Sequence, residues 1–543
     1  MKDFEVVSVS SLEKVLPSIR PTLLENENTC FKNEVFSFQA AYCHHTSYLL
    51  LHRCTWEVEG SLKDYITVRP VRLIPCTTAI NDTFDEYYLT HSATLIPDLL
   101  SDEKEFFVRY QQWHSLWVTV KGDLPAGEHT ILLRLFDKDH VELGNIAYKL
   151  TVLADELPKR QLKYAHWFHY DSIAEYYKLP VWSDEYNDVM NKFIKKLVEH
   201  GGNTLLVPLF TPPTNTWIGG SRTTAQLVDV ALKNGKYEFD FSRLKWFMRN
   251  AESLGVEYFE MCHLYTQWGA ENAANVMVKV DGKLTRMFGW DEKALGEGYS
   301  AFMRAFLPKL VQFLKQEGYG EDRCFFHISD EPSIGALPAY LKIRELMKPL
   351  LKEYKIFDAL SNYEFSRRGA VDMPVVETQH ATPFLENKVK DLWVYYCLGA
   401  GYGGLSNRFM AMPSWRTRVF GVQLYAVDAV GFLHWGYNYY NTALSEEYIN
   451  PYEITDAWGS FPSGDSFMVY PGKNGEPLDS LRHEVMFDAF QDYAALKKLE
   501  QKIGREKVMQ MLADKGVFPN FTDYPKNAEW LMQLRKEIHE YFR

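Results

Sequence analysis

The sequence predicts a multidomain protein in which a (β/α)8 barrel, like a TIM barrel, follows an N-terminal β-sandwich and precedes a C-terminal helical extension. The chain has 543 residues, which is too long for one hydrophobic core because single cores rarely exceed about 250–300 residues. Its first part consists of short strands and turns, and its second part alternates apolar strands with amphipathic helices. The predicted domains are residues 1–158, 159–500 and 501–543.

The N-terminal part contains several segments that alternate in polarity or are rich in β-branched and aromatic residues, as strands are. These segments are FSFQAAYC, TWEVEG, YITVRPVRLI, LWVTVK and HTILLRLFD. Short strands at this spacing favour a β-sandwich. Such modules bind sugars in some enzymes and brace the main domain in others, and for this chain we favour bracing.

After the segment ADELPKRQ, strands and helices alternate, which predicts βα units and a parallel sheet. The predicted strands are 163–171, 203–210, 256–265, 324–331, 355–362, 374–380, 391–397 and 430–438. The long insertions are 211–240, 266–298 and 440–480, and the tail helices are 482–499, 505–514 and 527–542. All three insertions follow strand ends, where this fold builds its active sites.

Charge and composition exclude several functional classes. The formal net charge is −12, so we expect no nucleic-acid partner, because such proteins carry a basic footprint. No stretch approaches the ~20 apolar residues that span a bilayer, so no membrane insertion is expected. The first residues, MKDFEVVSVSSLEKV, lack the apolar segment of a secretory signal. The 7 cysteines show no zinc spacing, and together these features predict buried free thiols and a cytoplasmic protein.

Polar and aromatic side chains are concentrated where the predicted barrel strands end. Those residues are Trp167, His169, Asp171, Phe210, His263, Tyr265, His327, Asp330, Glu331, Asn362, Tyr363, Glu377, His380, Tyr395, Trp435, Tyr437 and Asn438. The set holds carboxylates, imidazoles and flat rings, and it has neither a glycine-rich phosphate loop nor a basic cluster. It therefore suits a ligand with many hydroxyl groups and an apolar ring face, and no cofactor is expected.

The motif HISDEPS is the sharpest local feature. Asp330 and Glu331 close an apolar strand, and Pro332 stops its hydrogen-bond ladder. Adjacent strand residues point to opposite faces, so both acids reach one ligand only where the chain leaves the barrel. Their mutual repulsion should raise the pKa of one of them. A proton donor beside an ionised carboxylate suits acid-assisted bond cleavage.

The remaining candidates are histidines and aromatic residues. His263 and His380 have no metal-ligand spacing around them, so we predict that they hydrogen-bond to ligand hydroxyls or to the core, and we predict no metal site. Trp435 and Tyr437 are two residues apart on a predicted strand and should therefore face the same side. We interpret this pair as a stacking platform at the barrel mouth.

Several of these motifs together resemble glycoside hydrolase family 123 and its wider group of related barrel proteins. The resemblance spans nearly the whole chain. It rests on HISDEP at 327–332, DLWVYYC at 391–397, MPSWR at 412–416, VGFLHWGYN at 430–438, Gly464-Asp465, VYPG at 469–472 and SLRHEVMFDAFQDYAAL at 480–496. The resemblance implies a β-N-acetylgalactosaminidase that retains anomeric configuration by substrate-assisted catalysis. The implied substrate is an oligosaccharide or glycoconjugate with a terminal β-linked N-acetylhexosamine.

The resemblance also implies distinct roles for the two acids. Glu331 would be the general acid and later the base, and Asp330 would accept a hydrogen bond from the acetamido N–H. By position, Tyr395 would donate to the acetamido oxygen. Asn362, Tyr363, Trp435 and Asp465 would line the sugar, and Trp167, His169, His263, His380 and Tyr437 complete the predicted binding set.

Two alternatives stay open at the level of sequence. One is a retaining glycosidase with a covalent intermediate, in which Glu331 is the acid/base and Glu377 the nucleophile; a carboxyl separation of about 5–5.5 Å would favour it. The strand DLWVYYC has no acid at its end, which counts against this mechanism. The other is a non-catalytic carbohydrate-binding protein, which the presence of both acids disfavours. The sequence predicts neither the oligomeric state nor a preference between galacto and gluco substrates.

Overall fold

The computed structural model describes residues 3–46, 51–159 and 162–543. The N-terminal strands are β1 (Phe4–Ser10), β2 (Glu27–Phe31), β3 (Phe36–His44), β4 (Leu51–Glu59), β5 (Ile66–Cys76), β6 (Thr94–Leu100), β7 (Phe106–Val108), β8 (His114–Val120), β9 (Gly127–Phe136) and β10 (Glu142–Leu153). They form two five-stranded sheets, in the orders β1-β3-β8-β5-β6 and β2-β10-β9-β4-β7. The N-terminal region is therefore rich in sheet, as the sequence predicts.

Alternation along β10 explains how the two N-terminal sheets meet. Ile146, Tyr148, Leu150 and Val152 are buried, and the residues between them are more exposed. The Tyr148 ring stacks on Phe38 of the other sheet, with ring centroids 4.2 Å apart. Both sheets therefore contribute to one apolar core.

Eight parallel strands close the barrel that follows. They are β11 (Lys163–His166), β12 (Thr204–Val207), β15 (Tyr258–Met261), β18 (Cys324–Phe326), β19 (Lys355–Leu360), β20 (Met373–Glu377), β21 (Trp393–Tyr395) and β22 (Gly431–His434). The last strand pairs with the first, and His166 lies opposite His434. The strands are shorter than predicted, because the chain leaves the ladder before the polar residues that follow each strand.

The predicted insertions contain strands of their own. β13 (Asp229–Lys233), β14 (Lys236–Asp240), β16 (Val276–Val280) and β17 (Lys283–Phe288) form a separate sheet, and β23 (Val469–Pro471) pairs with β24 (Pro477–Asp479). The backbone N–H of Trp217 in the first insertion donates to the carbonyl of Leu444 in the third. These contacts join the insertions around the ends of the barrel strands.

Helices connect the barrel strands and complete the chain. They are α1 (Tyr170–Tyr177), α2 (Asp184–Glu199), α3 (Ser242–Ser253), α4 (Glu297–Gln316), α5 (Leu337–Leu351), α6 (Tyr363–Arg367), α7 (Thr382–Glu386), α8 (Ser414–Ala426), α9 (Leu481–Ile503), α10 (Arg505–Asp514) and α11 (Glu529–Glu540). A Cβ at Gly421 would lie 1.7 Å from the carbonyl oxygen of Ala489, so glycine permits the close crossing of α8 and α9. None of the described helices combines the length and apolar character that crossing a membrane requires.

The tail is tied to both other parts of the chain. The predicted boundary at residue 500 falls within α9, which runs without a break from Leu481 to Ile503. From α9, Arg482 forms a buried ion pair with Asp98 of β6, with the atoms 2.8 Å apart. From α11, Arg535 forms an ion pair with Glu34 beside β2. The tail helices therefore pack on the N-terminal sheets, and α9 also packs on α8 between the last two barrel strands.

Candidate active site

A cavity of about 160 Å³ lies at the carboxyl ends of the barrel strands. Asp330 and Glu331 both line it, although they are neighbours in sequence. Its other lining residues are Trp167, His169, Thr214, Asn215, Gln267, Trp268, Ala359, Tyr395, Cys397, Leu398, Leu433, Trp435 and Phe461. The cavity thus combines two acids with several aromatic rings.

The turn that carries the acids begins directly after β18 and is held at several points. Glu331 has φ of +43°, a left-handed conformation that is uncommon outside glycine. Its backbone N–H donates to the carbonyl of Ala359 at 3.1 Å, and the N–H of Trp268 donates to the carbonyl of Asp330 at 2.7 Å. The surrounding chain therefore fixes a strained backbone that brings both carboxyl groups to one cavity.

Glu331 is suited to donate a proton. Burial raises the pKa of its carboxyl, and the nearby Glu377 raises it further. The hydroxyl of Tyr395 donates a hydrogen bond to Glu331 Oε1 and offsets part of this rise in pKa. A carboxyl group with a raised pKa keeps its proton nearer to neutral pH, as general acids require.

Asp330 lies in a similarly water-poor environment. Burial and the charge of Glu331 raise its pKa well above the usual value, and Asp358 adds to the rise. His327 opposes the rise as a nearby positive charge. Because each acid disfavours ionisation of the other, the pair holds a proton at pH values where separate carboxyl groups would be ionised.

Three aromatic side chains of the cavity are fixed by polar partners. The Trp167 indole N–H donates to Glu260 Oε2 at 3.0 Å, and the Trp435 indole N–H donates to Asp465 Oδ2 at 3.2 Å. His169 donates from Nε2 to the Trp435 carbonyl at 2.8 Å. These bonds fix the ring planes before a ligand arrives.

The side chain of His169 is held in its neutral form. Arg222 donates to His169 Nδ1 at 2.9 Å and forms an ion pair with Asp171 at 2.6 Å. Burial and the positive charge of Arg222 lower the pKa of His169 to about 3. His169 is therefore a hydrogen-bonding group of the cavity wall.

The structure brings part of the predicted residue set to the cavity. Trp167, His169, Tyr395 and Trp435 line it together with the two acids. Asp465 lies behind Trp435, through the bond to its indole, and burial raises the pKa of Asp465 to about 6. Tyr395, predicted to face an acetamido oxygen, donates to Glu331.

Tyr437 does not form a platform with Trp435, and this prediction is wrong. Tyr437 is fully buried, and its hydroxyl donates to the carbonyl of Phe193 at 3.0 Å. The two-residue alternation ends with β22 at His434, so the residues beyond it no longer share a face.

His263 lies beneath the cavity and does not line it. Its ring stacks on His327, with centroids 4.1 Å apart, and it is fully buried. The N–H of Tyr265 donates to the carbonyl of Ile328, and the N–H of Ala274 to that of Leu264. The chain after β15 is thus enclosed between the acidic turn and the following insertion.

Asn362, Tyr363 and His380 also lie outside the cavity lining. Asn362 caps α6, because its side chain accepts from the backbone N–H of Glu364 at 2.9 Å. Tyr363 packs edge-on against Phe384. His380 is half exposed, with Nε2 3.6 Å from Glu377 Oε2. Asn362 follows a strand end, but it also begins a helix, and its side chain serves as the helix cap.

Most of the cavity residues missing from the prediction come from loops and insertions. Thr214 and Asn215 follow β12, Gln267 and Trp268 follow β15, and Phe461 follows β22. The side chain of Gln267 accepts from the backbone N–H of Asn215, which ties two insertions together. No periodic pattern marks these positions, so the only signal in the sequence is the length of the insertions after strand ends.

Two buried groups of residues approach the spacing of a cation site: His200, Asp479 and His483, and His263, His327 and Asp358. In the first group, Lys196 and Arg69 contact Asp479 at 2.9 Å and 2.7 Å. In the second, both nitrogens of His327 are hydrogen-bonded to carboxylates. These contacts make both groups suited to ion pairing within the protein.

The cysteines agree with the expectation of free thiols. Six of the 7 are buried, and Cys397 is half-buried in the cavity wall. Burial raises the pKa of the Cys397 thiol well above its usual value, so it stays protonated.

Comparison with known proteins gives a family and a fold. Residues 167–499 match the family model "Glycoside hydrolase 123, catalytic domain". A family 123 glycoside hydrolase from Clostridium perfringens, described in terms of glycolipid glycan hydrolysis, is 14% identical, covers 99% of both chains and has a TM-score of 0.74. A Bacteroides ovatus GH5 xyloglucanase is 9% identical over 86% of this chain and 98% of its own, with a TM-score of only 0.32. Comparison with curated proteins finds no match.

The family match covers every barrel strand from β12 to β22 and every residue of the cavity described above, and it begins directly after β11. The structural likeness independently supports the fold over the whole chain. The chain belongs to glycoside hydrolase family 123 and is a glycosidase that acts on a glycan.

Proposed function

We propose that this enzyme is a retaining exo-β-N-acetylgalactosaminidase that uses the 2-acetamido group of its substrate as the nucleophile. The observation that carries the proposal is the pair of neighbouring carboxyl groups in one cavity, both with raised pKa values. Substrate-assisted enzymes need no separated pair of carboxylates. Adjacent acids that retain a proton fit this mechanism.

In the first step, Glu331 gives its proton to the glycosidic oxygen as that oxygen leaves the anomeric carbon. The acetamido oxygen attacks the same carbon and forms an oxazolinium ring. Asp330 accepts the hydrogen bond of the acetamido N–H and stabilises the positive charge that develops there. In the second step, the Glu331 carboxylate takes a proton from water, which opens the ring and restores the starting configuration.

We propose that substrate binding places the proton retained by the pair on Glu331 and leaves Asp330 ionised. A donor such as the acetamido N–H favours the carboxylate form of Asp330. An acceptor such as the glycosidic oxygen favours the protonated form of Glu331. A substrate with both groups therefore polarises the pair, and a sugar without the acetamido group does not.

The contacts of Glu377 disfavour the covalent mechanism. Glu377 Oε2 accepts from Gln379 Nε2 at 2.6 Å, and Oε1 lies 3.6 Å from the Cys397 thiol. Glu377 is absent from the residues that line the cavity. We therefore assign it to supporting the raised pKa of Glu331.

The proposed substrate is an oligosaccharide or glycoconjugate that ends in β-linked N-acetylgalactosamine. Trp167 and Trp435 supply apolar ring faces for the sugar. We propose that the half-exposed Trp268 contacts the leaving group, because it lines the cavity and is 50% exposed. The Clostridium perfringens protein is described in terms of glycolipid glycan hydrolysis, and we include glycolipid glycans with this terminal sugar in the proposed substrate class.

We further propose that residues 1–158 form a β-sandwich that braces a TIM-like barrel at 159–500, with 501–543 as an extension. The hydroxyl of Tyr88 donates to the carbonyl of Gly401 at 2.8 Å. Asp85 accepts from Arg416 at 2.9 Å and 2.8 Å. The N-terminal region thereby supports the loop that carries Leu398 into the cavity.

Replacing Asp330 tests the proposed chemistry. Asp330→Asn should lower hydrolysis of an aryl 2-acetamido-2-deoxy-β-galactoside by about 10²- to 10³-fold, as loss of a group that stabilises developing charge does. A thiazoline analogue of the oxazoline should inhibit the wild type and bind this variant more weakly. Unchanged turnover in Asp330→Asn, or no inhibition of the wild type, would refute the assignment.

A further inference from the structure

A continuous buried chain of polar side chains runs beneath the cavity. It begins at the Trp167 indole, which donates to Glu260 Oε2 at 3.0 Å. His327 Nε2 lies 2.9 Å from the same oxygen, and His327 Nδ1 lies 2.9 Å from Asp358 Oδ1. Glu260, His327 and Asp358 are all fully buried. Strands β15 and β19 and the segments that directly follow β11 and β18 are therefore joined by one set of hydrogen bonds.

Asp358 connects this chain to the acidic turn. Its carboxylate accepts from the backbone N–H groups of Ile328 at 3.0 Å and of Ser329 at 3.2 Å. The hydroxyl of Tyr340 donates to the same carboxylate. Asp358 thus fixes the two residues that directly precede Asp330.

His327 carries the positive charge in this set of hydrogen-bonded side chains. Burial by itself lowers the pKa of an imidazole, but the bonds to Asp358 and Glu260 outweigh this and raise it to about 9. Its neighbour His263 has a pKa well below the usual value, because it is buried beside the His327 charge. Within the described residues, neither nitrogen of His263 has a hydrogen-bond partner. Two stacked histidines therefore differ in charge.

We propose that Glu260, His327 and Asp358 are positioning residues that fix Trp167 and the Asp330–Glu331 turn relative to each other. The His327 cation stabilises Asp330 as the carboxylate that accepts the acetamido N–H. This inference rests on the proposed function. The groups that face Asp330 are Glu331, His327 and Asp358, so His327 is the positive charge among these three neighbours.

His327→Gln tests the role of these positioning residues, with His263→Gln as the matched control. The first variant removes a cation, and the second replaces a ring that is already neutral. In His327→Gln, Asp330 should ionise at higher pH, so the acidic limb of the kcat/KM profile should move to higher pH. We expect kcat to fall about 10²-fold, as misplacement of reacting groups does, with a smaller change in KM. His263→Gln should leave the acidic limb in place.

An acidic limb that stays in place in His327→Gln, or that moves equally in both variants, would overturn the proposal. A loss of stability without a shift of the limb would show that His327 serves the core alone.

A second measurement does not depend on activity. The double-mutant cycle of His327→Gln and Asp330→Asn, read from thermal unfolding, should give a coupling that appears as pH rises and Asp330 ionises. A coupling that is zero at every pH would refute the role of His327. If wild type fails to cleave the acetamido substrate but the coupling is present, then the proposed function fails and the electrostatic contact stands.

If His327→Gln does not fold, Glu260→Gln provides the same test. Its amide oxygen still accepts from the Trp167 indole, and the substitution removes one negative charge beside His327. The pKa of His327 should fall, so the stability that wild type loses as pH rises toward about 9 should be lost at lower pH. Identical pH dependence of unfolding in Glu260→Gln and wild type would contradict the proposal that Glu260 stabilises the His327 cation.

Discussion

Two pairs of buried acids lie at opposite ends of the barrel and ionise in opposite ways. At the mouth, Asp330 and Glu331 both have raised pKa values. The second pair lies near the end of α2, which leads into the amino-terminal end of β12. Here the pKa of Asp479 lies well below its usual value and that of Glu484 is lowered to about 2. Burial raises the pKa in all four cases, so burial alone does not decide the outcome.

The difference comes from neighbouring cations. Asp479 lies 2.7 Å from Arg69 and 2.9 Å from Lys196, and Glu484 lies 2.6 Å from Arg69. The mouth pair has one buried imidazolium and the half-exposed His380 nearby. A carboxylate surrounded by cations is a structural anchor, whereas one left short of cations keeps a proton that it can donate.

The largest expected effect is on catalytic activity, and it distinguishes the acids at the mouth from those near the end of α2. Glu331→Gln should lower kcat/KM on an aryl 2-acetamido-2-deoxy-β-galactoside by about 10²- to 10⁴-fold, because it removes the group that we propose as the general acid. Its melting temperature should change little. Glu484→Gln should do the opposite, with a lower melting temperature and near-normal kcat in the folded fraction. Equal losses of kcat in both variants would erase the distinction between catalytic and structural acids.

The next effect concerns stability at the anchoring end. Asp479→Asn should destabilise the protein at pH 7 by about 3–5 kcal/mol, since it leaves buried cations without their partner. Because the pKa of Asp479 is lowered in the folded state, its contribution is present above the unfolded value of 3.8 and is lost as pH falls through the folded pKa. Denaturant unfolding from pH 7 downward should show the wild type approaching the variant.

Asp139→Asn is the control for this experiment. Asp139 is 68% exposed beside Lys138, and exposed pairs contribute little. A loss in Asp479→Asn no larger than in Asp139→Asn would show that the buried anchor contributes nothing.

The smallest effect is a shift in pH dependence at the mouth. The Tyr395 hydroxyl lowers the pKa of Glu331 by donating to it, so Tyr395→Phe should raise that pKa. Glu331 then stays protonated to higher pH, and the basic limb of kcat/KM should move upward. Tyr437→Phe removes a hydroxyl bonded to a core carbonyl and should leave the limb unchanged. A downward shift of the basic limb in Tyr395→Phe would contradict the inference that Tyr395 donates this hydrogen bond to Glu331.

The sequence predicted the barrel and its acid pair because strong local signals coincide there. An apolar strand, two acids and a proline mark the turn after β18. The left-handed backbone of Glu331 could not be predicted, since glutamate has no preference for it. That conformation depends on distant partners, the backbone groups of Ala359 and Trp268.

Other parts of the site could not be predicted for equally physical reasons. Gln267 and Trp268 lie in an insertion without periodicity, and only tertiary contacts bring them to the cavity. Alternation along the predicted strand places Tyr437 at the mouth, but in the structure this strand ends at His434. Asn362 illustrates a competing signal, because an asparagine just before a helix caps it. Glu260, His327 and Asp358 come from β15, from the segment after β18 and from β19, so no local motif reveals their contacts.

In the mechanism that we propose, the substrate supplies the nucleophile. Asp330 orients the acetamido group, and Glu331 protonates the glycosidic oxygen. The most direct test compares wild-type kcat/KM for an aryl 2-acetamido-2-deoxy-β-galactoside with that for the matching aryl β-galactoside, which has a hydroxyl in place of the acetamido group. We predict hydrolysis of the first and a rate at least about 10³-fold lower for the second, since proximity of an internal nucleophile supplies much of the acceleration. Comparable rates on both substrates would contradict the account.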